Sequence, residues 1–306
     1  GSPRGVIITH ANLMHNLAAL HRVDMPGAVA VCWLPPYHDM GLVGGIMLPV
    51  HSGRQVVLLS PLSFVQRPVR WLQAISRYRA RTSAAPNFGY ELCIRKVAAD
   101  ECEGLNLSCW LVAISGAEPV RAETIERFSE KFGPYGFRRR AFFPAYGMAE
   151  STLLISCCAR GDGPLVCRFS AAALARDRVQ EAEPTDAQPC LAVGCGKPLP
   201  DGELIIVDPH TCRPLPPGQV GEIWVHSPSV GAGYWNRPEE TREVFHATLA
   251  DEKNGGQSEP AAPQGAPVRR YLRTGDLGFV HAGQLFVAGR LKELIILGGR
   301  KYYPHD

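Results

Sequence analysis

A chain of 306 residues is long enough for about two domains with a full apolar core. Its formal net charge of +3, with no Lys/Arg block, is too small to argue for nucleic acid, and no apolar run approaches the length that crosses a bilayer. Ten cysteines without a CxxC pair read as buried thiols in a reducing setting rather than as zinc ligands, so the expected localisation is cytoplasmic.

Gly1-Ser2-Pro3-Arg4-Gly5 forms a glycine-rich turn. Such a turn can cradle phosphate with backbone N–H groups, Arg4 adding charge-assisted bonds. The stretch lacks the GxxxxGK[ST] pattern, and a plain surface turn reads equally well. Thr9 is placed to cap a helix whose stripe is Leu13, Leu17 and Leu20. Residues 28–33 read as a buried strand leading into Pro35-Pro36-Tyr37-His38-Asp39-Met40-Gly41. His38 can polarise a substrate from this loop or simply hydrogen-bond locally.

Residues 55–59 form a second expected strand, and Trp71, Leu72, Ile75 and Tyr78 follow at helical spacing. A third strand, 110–114, ends in Ser115-Gly116-Ala117-Glu118-Pro119, and Ile125, Phe128 and Phe132 give the next helix its apolar face before Gly133-Pro134. Phe142-Phe143-Pro144-Ala145 then delivers Tyr146-Gly147-Met148-Ala149-Glu150. Tyr146 offers a flat face for a planar base, and Glu150 offers hard oxygens for Mg²⁺ beside a polyphosphate. A buried Tyr and a solvated Glu are the plainer alternative. Strands alternating with helices over residues 1–155 predict an α/β fold with a doubly wound, mainly parallel sheet.

Residues 156–193 break that pattern and read as an insertion or linker with a short helix near 171–175. Residues 194–290 return as short strands between Pro/Gly turns, the pattern of a small antiparallel barrel or sandwich, interrupted by a polar stretch at 251–267 that reads as a mobile loop. In Arg273-Thr274-Gly275-Asp276 the carboxylate can accept both hydroxyls of a ribose or cap a turn. Gly289-Arg290-Leu291-Lys292 reads as a hinge or a hairpin turn.

In order, the 1–5, 115–119, 146–150, 271–278 and 289–292 motifs resemble those of the adenylate-forming enzyme superfamily. Within it, Trp33-Leu34-Pro35-Pro36-Tyr37-His38-Asp39-Met40-Gly41 and Gly298-Gly299-Arg300-Lys301-Tyr302-Tyr303-Pro304-His305-Asp306 look most like the fatty acyl-AMP ligases. The resemblance covers essentially the whole chain and implies a fragment of the family's large domain, with a small domain beginning at 291–306. It assigns Gly1, Ser2, Arg4 and Gly5 to a phosphate loop, Arg4 standing where many members have Lys. Ser115, Gly116, Ala117 and Glu118 would line the adenine pocket. Tyr146 would stack on adenine, in one motif with Gly147 and Met148, and Glu150 would be the Mg²⁺ ligand. Ala149 stands where the wider superfamily has Thr, as in acyl-AMP ligases. Asp276 and Arg290 would bind ribose, Lys292 would mark the hinge, and His38 would lie near the acyl–phosphate junction.

ATP and Mg²⁺ are the implied cofactors, and a fatty acid and an acyl carrier protein the implied partners. The implied reaction joins a fatty carboxylate to the α-phosphate of ATP, releases pyrophosphate and passes the acyl group to a phosphopantetheine thiol. An acyl-CoA ligase and a nucleotide- or acyl-binding module without turnover remain as alternatives. Residues 156–193 sit where the acyl-AMP ligases carry an insertion absent from acyl-CoA ligases; it reads either as a tolerated surface loop or as a segment that docks through Leu165, Val166, Phe169 and Leu174 and blocks the small-domain rotation that admits CoA. The chain begins within the implied phosphate loop and reads as a piece of something longer, expected to be nearly inactive alone.

Overall fold

The computed structural model describes residues 3–23, 27–186, 188–250, 269–297 and 300–302. Strand β1 (Val6–Ile7) runs into α1 (His10–Val23), which Thr9 caps as expected: its hydroxyl accepts from the Asn12 N–H at 3.2 Å and its carbonyl from the Leu13 N–H at 3.0 Å. Then follow β2 (Ala30–Cys32), a π-helix (Met40–Met47), α2 (Leu48–Ser52), β3 (Val56–Leu58), α3 (Pro61–Gln66), α4 (Val69–Tyr78), β4 (Thr82–Ala85), α5 (Asn87–Lys96), β5 (Val112–Ser115), α6 (Ala122–Phe132), β6 (Phe142–Gly147) and β7 (Leu154–Cys157).

Strands β2 to β6 are parallel, in the order β3-β2-β4-β5-β6. That order reverses beside β2, and in an open α/β sheet ligands bind outside the carboxyl ends of the strands at such a reversal. Two layers cover the sheet. On one face α4, α5 and α6 bury Trp71, Ile75, Tyr90, Phe128 and Phe132 with Trp110 and Phe142 in an aromatic cluster. On the other, α1, the π-helix and α2 bring Leu17, Leu20, Val43 and Leu48 against Ala145 and Leu154. Residue alternation along β5 and β6 sends Ala113 and Phe142 to the first face and Ile114 and Ala145 to the second.

Beyond β7, strands β8 (Val166–Phe169) and β9 (Cys190–Val193) pair with each other around α7 (Ala171–Leu174). Strand β10 (Lys197–Pro198) returns to pair antiparallel with β7, completing a seven-stranded sheet. The expected division at 155/156 therefore falls inside β7, and the first sheet takes its last strand from beyond 194. The intervening stretch is docked: Phe169 is fully buried and packs with Leu174, Leu277, Phe279 and Phe286.

Strands β11 (Glu203–Val207), β12 (Gly221–His226), β13 (Gly233–Tyr234), helix α8 (Pro238–Phe245), β14 (Leu272–His281) and β15 (Gln284–Arg290) follow. They give an antiparallel sheet, β11-β12-β14-β15, while β13 pairs with β1 and ties that strand to this half. Residues 289–292 make no hairpin turn. Arg290 ends β15, and Leu291–Glu293 forms one 3-10 turn before the hairpin of β16 (Ile295–Leu297) and β17 (Arg300–Tyr302). The polar stretch at 251–267, together with Gly1 and Ser2, lies outside the described residues.

Candidate active site

Three loops at the carboxyl end of the parallel sheet meet β14 and β15 around a cavity of about 690 Å³. After β2, the chain presents His38 and Asp39; His38 Nδ1 stands 2.7 Å from Asp39 Oδ1, which also accepts from the Met40 N–H at 2.6 Å and so caps the π-helix. After β5, Gly116 and Ala117 line the cavity, Ala117 at φ +65°, in the left-handed region that favours glycine. After β6 come Tyr146, Gly147, Met148, Ala149 and Glu150. A Cβ on Gly147 would stand 1.8 Å from the Leu153 carbonyl oxygen, so only glycine lets the chain turn here against β7.

From the antiparallel sheet, Asp276 reaches Tyr146, whose hydroxyl donates to Asp276 Oδ2 at 2.7 Å. Arg290, opposite Asp276 in the β14–β15 register, donates from Nε to Oδ1 at 3.2 Å. Asp276 is 7% exposed, and burial lifts its pKa above the usual aspartate value against the lowering pull of Tyr146 and Arg290. Burial likewise lifts Asp39, opposed by His38. The charge of Glu150 pushes both aspartates further in the same direction.

Tyr234, on β13, donates its hydroxyl to Glu150 Oε1 at 2.6 Å, and the Arg4 guanidinium lies 5.1 Å from its ring centre. Burial first, and then the bond to Glu150, push the Tyr234 phenol up to about 12. Behind Asp276, buried Glu222 accepts from the Gly275 N–H at 3.2 Å, Trp224 Nε1 at 2.9 Å and Arg273 Nη2 at 2.8 Å, fixing the stretch of β14 that carries the aspartate.

Among the expected site residues, the structure gathers Arg4, His38, Gly116, Ala117, Tyr146, Gly147, Met148, Glu150, Asp276, Arg290 and Lys292 on one cavity. Gly5, Ser115 and Glu118 are not on its lining. Gly5 spends its carbonyl on the Trp235 N–H at 2.7 Å, Ser115 is buried at the end of β5, and Glu118 turns outward to accept from the Phe88 N–H. Tyr234, Glu222 and Arg273 join the lining without having been singled out for it. The Glu222 and Arg273 positions read as ordinary strand polarity, and nothing local in Gly233-Tyr234 signals a carboxylate 84 residues away.

The cavity is polar where the strands end and lined beneath by apolar residues such as Val31, Val112 and Phe143. The profile of the AMP-binding enzyme family matches residues 1–235. The chain belongs to that family.

Among the chain's relatives, the medium-chain-fatty-acid–[acyl-carrier-protein] ligase JamA of Moorena producens (strain JHB) is 44% identical over 309 residues, covering 100% of this chain and 50% of JamA. The long-chain-fatty-acid–AMP ligase FadD26 of Mycobacterium tuberculosis is 39% identical over 311 residues, 100% of this chain and 52% of FadD26. Among solved structures, a fatty acyl-adenylate ligase from L. pneumophila in complex with acyl adenylate and pyrophosphate superposes with a TM-score of 0.85 at 41% identity, covering 94% of this chain and 48% of that one. The chain thus spans about half the length of the curated relatives it matches. Among the described residues, no helix is long and apolar enough to cross a membrane.

Proposed function

We propose that this chain is the nucleotide- and acyl-binding part of a fatty acyl-AMP ligase. The observation that carries the reading is the single cavity that joins Tyr146, Glu150, Asp276 and Arg290 to an apolar arm lined by Val112, Ile114, Phe143 and Leu20. A nucleotide fits the first group. Tyr146 would offer its ring face to the base, and Asp276 offers lone pairs to a ribose while Arg290 holds the carboxylate in place. A fatty chain fits the second, because each methylene removed from water contributes about 0.8 kcal/mol.

With both seated, a fatty carboxylate oxygen would attack the α-phosphorus of ATP. A C(O)–O–P bond forms, the α–β phosphoanhydride breaks, and pyrophosphate leaves with the bonding electron pair. His38 and Arg4 lie on the cavity lining where negative charge would gather, and positioning with charge neutralisation would carry most of the rate. The residues present fit Mg²⁺. Glu150 supplies hard carboxylate oxygens, its charge burdens Asp39 and Asp276, and Mg²⁺ commonly takes only one or two carboxylates beside substrate phosphates. When bound, the ion would neutralise phosphate charge; Tyr234 would hold the Glu150 carboxylate in orientation for it.

By likeness to JamA, the acyl group would go on to the thiol of an acyl carrier protein. The ten cysteines are all unbridged, in keeping with a cytoplasmic setting. Residues 156–193 would occupy the place of the acyl-AMP ligase insertion, and Lys292 would lie at the hinge to a following small domain. The test is fatty-acid-dependent ATP–pyrophosphate exchange by the intact protein that carries this chain, with Glu150→Gln as comparison. Exchange that needs a fatty acid and falls at least about a hundredfold in the variant is expected, as for loss of a group that stabilises transition-state charge. Exchange unaffected by Glu150→Gln would remove the site assignment, and acyl transfer to CoA in preference to a carrier protein would favour an acyl-CoA ligase.

A further inference from the structure

The cavity runs well past the nucleotide end. Its lining includes Ala30, Val56 and Thr82, the first residues of three parallel strands, so it extends along the sheet to the edge opposite Glu150. Arg54 stands at that far edge. It follows the left-handed turn at Gly53 that closes α2; its N–H donates to the Pro49 carbonyl at 3.1 Å, and the neighbouring Gln55 carbonyl accepts from the Ala30 N–H at 3.1 Å. The backbone at Arg54 is thereby pinned between a helix end and the starts of two strands.

Its side chain borders two spaces at once. Inward is the cavity; outward is a shallow cleft of about 450 Å³ lined by Ile46, Pro49, Val50, Leu58 and the shared Val56. Val50 and Leu58 are 78% and 59% exposed, so the cleft is apolar and open to water. Burial pulls the Arg54 guanidinium down to about 10, as for a cation held against surroundings poorer than water.

We propose that Arg54 is the end stop of the acyl cavity and sets the longest fatty chain accepted, with the Val50–Leu58 cleft lying beyond it as space for a longer chain's methyl end. This rests on the ligase reading above. Each methylene placed on apolar wall favours binding, whereas one pressed against a half-buried guanidinium must displace it, so the gain per methylene stops at Arg54. The cleft supplies the apolar surface on which the gain resumes once that side chain is shortened.

The experiment uses the intact protein and a homologous series of acyl-sulfamoyl adenosines, non-reacting mimics of the acyl-adenylate, with affinities measured by calorimetry. Acyl-AMP formation is followed in parallel for the matching fatty acids. In the unaltered protein, affinity should rise with chain length to a break and then fall. In Arg54→Ala the break should move to longer chains, with a gain of roughly tenfold for a chain two methylenes past the original break. Arg54→Met, whose uncharged flexible side chain yields to hydrocarbon, should move it the same way by less, and it carries the test if the alanine variant does not fold. A break that stays in place in a folded variant overturns the proposal while leaving the ligase reading intact. Failure of the unaltered protein to bind any acyl mimic, or to form acyl-AMP from any fatty acid, overturns both.

Discussion

The Tyr146 hydroxyl donates to Asp276 at 2.7 Å across 130 residues of chain, joining the end of a parallel strand to the antiparallel sheet. The bond fixes the tyrosine ring and leaves the other aspartate oxygen to Arg290. Tyr146→Phe keeps the ring and removes the bond, leaving a buried carboxylate short of a partner. Hydrogen bonds to charged groups contribute about 1.5–3 kcal/mol, so ATP affinity in the intact protein should fall by roughly tenfold or more. The apparent KM for fatty acid should change little; equal effects on both substrates would instead mark a general loss of structure.

Asp276 allows a test through pH. Its folded pKa is raised, so the protonated form favours the fold below the ordinary aspartate value, and that contribution is lost as pH rises through the raised folded value. At neutral pH the buried charge therefore works against stability. Asp276→Asn is neutral at every pH, and Arg290, 64% exposed, returns to water at little cost. The variant should melt no lower than the unaltered protein at neutral pH, with any advantage vanishing in acid, while ATP affinity falls steeply. In the unaltered protein, ATP affinity should weaken in acid sooner than an ordinary aspartate would dictate.

Tyr234→Phe separates orientation from charge at Glu150. The carboxylate keeps its charge but loses the 2.6 Å bond that holds one oxygen. The Mg²⁺ concentration for half-maximal pyrophosphate exchange should rise severalfold, with most of the rate recovered at saturating Mg²⁺. A loss of rate that Mg²⁺ does not restore would place Tyr234 elsewhere in the chemistry.

Phe169 bears on the stretch that the sequence leaves apart from both halves. Its ring is fully buried, with centroids 5.1 Å from Phe279 and 5.5 Å from Phe286. Phe169→Ala should cost about 3–5 kcal/mol of stability in denaturant unfolding. ATP affinity should be unchanged in the folded fraction, since Phe169 is not on the cavity lining.

Much of the first sheet is legible because its signals are local. The apolar runs at β2, β3 and β5 are short and punctuated, and Trp71, Leu72 and Ile75 repeat at helical spacing and are all fully buried. Strand β7 is harder to see: Leu154, Ile155, Ser156 and Cys157 alternate weakly, and the strand is specified by pairing with β6 and distant β10 rather than by its own pattern. The docking of 166–174 is likewise tertiary. Phe169 and Leu174, which the sequence offers as docking residues, enter the core of the second sheet, but which sheet receives them is not written locally. At the site, Glu150 stands out because it follows a strand and a turn; Asp276 stands out from its Arg273-Thr274-Gly275 approach, although it lies inside β14 rather than after a turn. Tyr234 does not, since its role comes from the pairing of β13 with β1.

The π-helix Met40–Met47 carries one further consequence. Its wide turns place Gly45 so close to the sheet that a Cβ there would lie 2.4 Å from Cys32 Sγ. A π-helix bonds each N–H five residues back and so holds an extra residue within the turn. Dropping one residue would let the segment tighten into an α-helix, with the loss taken up inside the wide turn rather than by the elements that follow. The wall that Gly44, Gly45 and Leu48 give the acyl arm is therefore set by a count of residues as much as by their kind. Exchanging Met47 for another apolar side chain keeps that wall in place, whereas losing it narrows the turn and changes which residues form the wall.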